Sequence, residues 1–122
     1  MNLALLLAAA LLLLIGFIHS ILGERLLLRR LLRPERQPPV FGGNWLAART
    51  LRFAWHVTTL AWWGMAALLV LMAGGQPTVA DLAWVFGVTF GLTGLLALVA
   101  SRGRHLSWIV FFAVAGLMAS VV

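Results

Sequence analysis

The stretch Gly16-Phe17-Ile18-His19-Ser20-Ile21-Leu22-Gly23-Glu24-Arg25 is where a long apolar run acquires polar groups, and its reading decides the fold. Wound as a helix, Gly16, His19, Ser20, Gly23 and Glu24 fall within roughly a 140° arc, giving one small, polar face on an otherwise greasy rod. Residues 2–22 are apolar or small apart from Asn2, His19 and Ser20, a run long enough to cross a hydrocarbon core of about 30 Å. A histidine and a carboxylate are costly to leave in lipid, so this face is expected to look into protein.

Composition supports that setting. Of 122 residues, 63% are hydrophobic and 10% charged, and the mean hydropathy is +1.05, far from the soluble average. There is no cysteine, which removes disulfides, thiolate metal sites and covalent haem attachment and leaves nitrogen and oxygen as the available metal ligands. All nine basic residues are arginine, against Glu24, Glu35 and Asp81, for a net charge of +6. Most of this charge flanks apolar segments, so anionic lipid headgroups, not nucleic acid, are the expected partner.

Working outward, the first helix is expected over about 2–33, since Leu, Glu and Arg favour helix as far as Pro34. The charges follow the apolar run instead of preceding it, so the segment reads as a retained anchor and not a signal peptide. Two proline clusters and Gly42-Gly43 make 34–44 a connector, with Asn44 as an expected N-cap. Further helices are expected over about 45–72, 78–101 and 105–122, the third starting at Thr78 or Asp81. Gly87, Gly91 and Gly94 align on the third as a packing face. The fold class is thus an all-α membrane protein, a four-transmembrane-helix bundle forming one domain over 1–122.

Seven arginines lie within 25–52 and two within 102–104, with none at the N-terminus or in the turn at 73–78. The positive-inside rule then places both arginine-bearing connectors in the cytoplasm and both termini outside. Trp45 and Trp55 near one level and Trp84 near the other are expected as interfacial anchors, with Trp62, Trp63 and Trp108 in the core.

This orientation brings three histidines to the cytoplasmic leaflet. His19 lies about 9 Å inward of Arg25 and His56 about 6 Å inward of Arg52, while His105 directly follows Arg104. A shared pocket of His19, His56 and His105 with Glu24 would suit a metal ion, Zn, Fe or Cu. Alternatively, two histidines would ligate a b-type haem with Arg49 and Arg52 near its propionates, a redox centre. Against both stands hydrogen bonding of each histidine within the bundle, and Glu24 as an ion-pair partner of Arg25, Arg49 or Arg52. Arg49, Arg52, His56 and Trp63 are expected on one face. Thr58, Thr59, Thr89 and Thr93 are expected to bond their own helix carbonyls. No Ser/His/Asp arrangement, phosphate loop or nucleotide fingerprint is present. Two further classes remain: a non-catalytic assembly subunit, as a homo-oligomer or within a membrane complex, and a small proton-coupled transporter, whose path the apolar outer halves of the spans do not provide.

In size, span number and a glutamate in the first helix the chain is superficially similar to small multidrug resistance transporters, but Glu24 sits at the cytoplasmic end and the arginine bias is far stronger. The elements His19-Ser20-x-x-Gly23-Glu24 and Arg52-x-x-Trp55-His56-x-Thr58 more closely resemble uncharacterised small four-span proteins of the bacterial inner membrane. That resemblance implies the location and imports no activity.

Overall fold

The computed structural model describes residues 1–36 and 43–122, so the part of the proline-rich connector between them lies outside the described residues. Among the described residues there are four principal helices and no strand. The first, α1, runs over Leu3–Leu31. Asn2 caps it, its side chain accepting from the amides of Ala4 and Leu5. From Gly23 to Leu28 α1 widens to a π-helix, and the Arg29 amide reaches back to the Glu24 carbonyl.

The second helix, α2, spans Asn44–Gly74. Its N-cap is Gly43, at φ 87°, so Asn44 is the first helical residue and not the expected cap. The third, α3, spans Val79–Ser101 and opens on a capping box: the Thr78 hydroxyl accepts from the Asp81 amide, and the Asp81 carboxylate accepts from the Thr78 amide and hydroxyl. Both residues expected to start this helix therefore act together. The fourth, α4, spans Ser107–Ala119, shorter than the apolar run that carries it. Arg102 and Gly103, both at positive φ, end α3 and leave His105 in the turn.

By length and composition α1, α2 and α3 are each able to cross a membrane. The helices stand in an open row in which each packs on its neighbour in sequence and non-neighbours make almost no contact. Small residues make the contacts. A Cβ on Gly94 would lie 3.1 Å from Phe112 and 3.2 Å from Phe111, and one on Gly87 3.4 Å from Met118, so the expected glycine face is the one that receives α4.

A polar seam between the first two helices

The small, polar face of α1 lies against α2. At Gly16 and Gly23 an indole occupies the space a side chain would take: Trp63 over Gly16 and Trp55 over Gly23. Each ring then reaches past the glycine to the backbone of α1, Trp63 Nε1 donating to the Leu13 carbonyl at 3.3 Å and Trp55 Nε1 to the His19 carbonyl at 3.1 Å. Trp55 and Trp63 are thus inter-helix keys.

Between the keys the polar side chains pair off. The His19 ring stacks on Trp55 at 4.3 Å, with Trp62 edge-on at 4.9 Å, and His19 Nε2 lies 3.3 Å from the Trp55 carbonyl oxygen. Ser20 Oγ is 2.9 Å from His56 Nδ1 and 2.8 Å from Thr59 Oγ1, and the Thr59 hydroxyl donates across to the Gly16 carbonyl at 3.4 Å. Thr59 therefore bonds the neighbouring helix, whereas Thr93 bonds its own, donating to the Thr89 carbonyl at 2.8 Å.

Glu24 closes the seam. Its Oε2 lies 3.1 Å from Arg52 Nε and 3.6 Å from His56 Nε2, and its Oε1 lies 3.7 Å from Arg29 Nε. The π-helical turn makes the last contact, because it aligns residue i with i+5 where an α-helix would offer Leu28. Glu24 Oε2 and Arg52 Nε are buried atoms without a well-aligned hydrogen bond, so their approach is an ion pair in distance but not in direction.

The other candidate residues lie elsewhere. His105 sits in the α3–α4 turn, with Nδ1 2.8 Å from Ser107 Oγ and its ring edge-on to Phe53 at 5.1 Å. Arg49 does not share the surroundings of Arg52. Its guanidinium donates to the Ala100 carbonyl of α3 at 2.8 Å and lies over the Trp45 ring. The structure therefore brings Glu24, Arg52 and His56 together, places His19 beside them against tryptophan, and keeps His105 and Arg49 at the α3 side. Among the described residues no three His, Asp or Glu side chains are gathered closely enough to hold one metal ion.

Ser20, His56 and Glu24 do stand in the order of a hydrolytic triad, an arrangement not visible in the sequence. Catalysis would also need donors for an oxyanion, yet Ser20 is inside a regular helix whose amides are committed to it, and its hydroxyl is shared with Thr59. The constellation is chemically a cross-helix hydrogen-bond chain ending in an ion pair. Beside it, a groove of about 440 Å³ opens between α2 and α3, lined by Ser20, His56 and Thr59 at one end and Leu92, Leu96 and Val99 along its wall. It continues past Leu60 and Trp63 toward Trp84. Compared with known proteins, the chain matches no family model, no curated protein and no solved structure.

Proposed function

We propose that this chain is a four-span protein of the bacterial inner membrane, both termini outside, that serves as a non-catalytic subunit of a membrane assembly. It would belong with the small four-span proteins that its His19…Glu24 and Arg52…His56 elements resemble. The open row of helices carries this reading. It leaves one side of α2 and α3 grooved and apolar, a surface suited to a further transmembrane helix, while the polar residues are spent in holding α1 to α2. The one-sided arginines support the orientation. As α4 is only about 20 Å long, the fourth span would need its flanking apolar residues.

Because the chain lacks cysteine, single-cysteine variants test this directly. In native membranes Leu92→Cys, in the groove, is expected to resist a lipid-soluble maleimide, while Leu11→Cys, 65% exposed on α1, reacts. The gently solubilised protein is expected to run larger than one chain. Equal labelling together with a monomeric mass overturns the subunit reading.

A second reading has one specific observation behind it. Glu24 Oε2 and His56 Nε2, 3.6 Å apart, are spaced as two ligands of one metal ion would be, with further ligands from outside this seam. Arg52 beside the carboxylate opposes it electrostatically. Stoichiometric metal or a haem absorption band, lost in His56→Ala, would favour this reading over the first.

A further inference from the structure

Three guanidinium groups converge on one indole. The Cζ atoms of Arg49, Arg104 and Arg102 lie 4.9, 5.2 and 5.5 Å from the centre of the Trp45 ring. Arg49 comes from the second turn of α2, and Arg102 and Arg104 from the α3–α4 turn, so the cluster forms only when the helices pack. Cation–π attraction explains why each arginine approaches the ring. Three like charges on one ring leave a local excess of positive charge, and Arg102 and Arg104 are both exposed to a ligand from outside the chain.

The acidic residues do not supply the counter-charge. Glu24 is engaged with Arg29, Arg52 and His56, and Asp81 is at the opposite end of α3 with Thr78. Glu35 forms no ion pair among the described residues. Arg49 is also anchored, through its bond to the Ala100 carbonyl. Arg102 holds its place at a φ of 52°, a left-handed conformation uncommon for a side chain of this size.

We propose that this cluster binds the phosphate of an anionic lipid. Guanidinium groups offer forked donors matched to phosphate oxygens, and several of them on one anion give charge-assisted hydrogen bonds. The location selects a lipid over a free anion: the cluster lies at the charged ends of apolar helices, Trp45 is 38% exposed, and Leu106, just beyond Arg104, is 66% exposed, offering apolar surface to an acyl chain. This rests on the membrane reading above but not on the subunit assignment.

Native mass spectrometry of the full chain in detergent tests it, with phosphatidylglycerol, phosphatidylcholine of the same acyl chains, and inorganic phosphate as probes. The natural chain is expected to prefer phosphatidylglycerol by at least about tenfold, equivalent to about 1.4 kcal/mol. Arg102→Gln/Arg104→Gln is expected to bring that ratio near one, Arg102→Lys/Arg104→Lys to retain part of it, and Arg30→Gln/Arg33→Gln, outside the cluster, to leave it unchanged. The lysine variant guards against a folding artefact, because it keeps charge in the same turn. No preference in the natural chain overturns the proposal, as does a preference that survives the glutamine pair or is lost with Arg30 and Arg33. Displacement by millimolar inorganic phosphate would show that the occupant is the free anion and would equally overturn the lipid assignment. Failure of the cysteine-protection test leaves these outcomes unaffected.

Discussion

Gly23→Ala is the smallest change that should damage the α1–α2 seam. The added methyl would stand 2.5 Å from Cε2 and 2.7 Å from Cζ2 of Trp55, and closer still to Nε1, where ordinary carbon contacts are about 3.5–4.0 Å. The ring must therefore retreat by about 1 Å, an overpacking cost of about 1–3 kcal/mol. Retreat also strains the Trp55–His19 stack, worth about 0.5–1.5 kcal/mol. The lost indole hydrogen bond costs on the donor side alone, because the His19 carbonyl also accepts from the Gly23 amide while Trp55 Nε1 loses its partner. A net loss of about 2–3 kcal/mol is expected, read from reversible unfolding in mixed detergent–SDS micelles. The decisive measurement is a double-mutant cycle with Trp55→Ala. With the indole gone the methyl meets no ring, and replacing glycine by alanine in a helix should then be neutral or stabilising by up to about 1 kcal/mol. If Gly23→Ala alone costs under about 0.5 kcal/mol, or if it costs the same with and without Trp55, the glycine–tryptophan key is not what holds the helices.

Three further outcomes follow from the same packing. Glu24→Gln removes the carboxylate on which Arg29, Arg52 and His56 converge; because the pair is part-exposed, the loss is expected at about 1 kcal/mol, and the same unfolding assay would refute this with no measurable change. Gly94→Val places methyls against Phe111 and Phe112 and should cost about 1–3 kcal/mol by detaching α4, seen as faster proteolysis after residue 101 while α1 and α2 stay protected. Thr78→Ala breaks the capping box at the start of α3 and is expected to cost about 1 kcal/mol, whereas Thr78→Ser should be near neutral; equal effects of the two would rule out the cap as the cause.

Much of this arrangement was legible in the residues because polarity is informative on helices this apolar. With so few polar groups along the apolar runs, Gly16, His19, Ser20, Gly23 and Glu24 were expected to share a face that meets protein, and that face meets α2. The alignment of Gly87, Gly91 and Gly94 likewise marked where a helix would come close, though not that the arriving helix would be α4. Spacing along each helix was readable from 1.5 Å per residue, but spacing alone does not set direction around a helix axis or the order of helices. His105 illustrates the difference: the left-handed Arg102–Gly103 turn leaves it outside α4, bonded to Ser107. The π-helical turn was equally hidden, since its extra residue per turn leaves no compositional trace, yet it delivers Arg29 to Glu24.

The same reasoning explains why polarity in this chain divides into two regions of different character. Along the α1–α2 seam, polar groups meet partners within the chain: the Ser20 hydroxyl meets His56 and Thr59, and the Glu24 carboxylate meets two arginines and a histidine. Such a seam stabilises the pair through contacts within the chain, with Glu24 Oε2 and Arg52 Nε meeting as an ion pair without an aligned hydrogen bond. Around Trp45 the balance fails, with three cations and no carboxylate among the described residues. Arg102 and Arg104 are exposed, so an anion from outside the chain can reach this excess of positive charge. The seam therefore accounts for how the first two helices hold together, and the unbalanced cluster is where the proposed anion would be held.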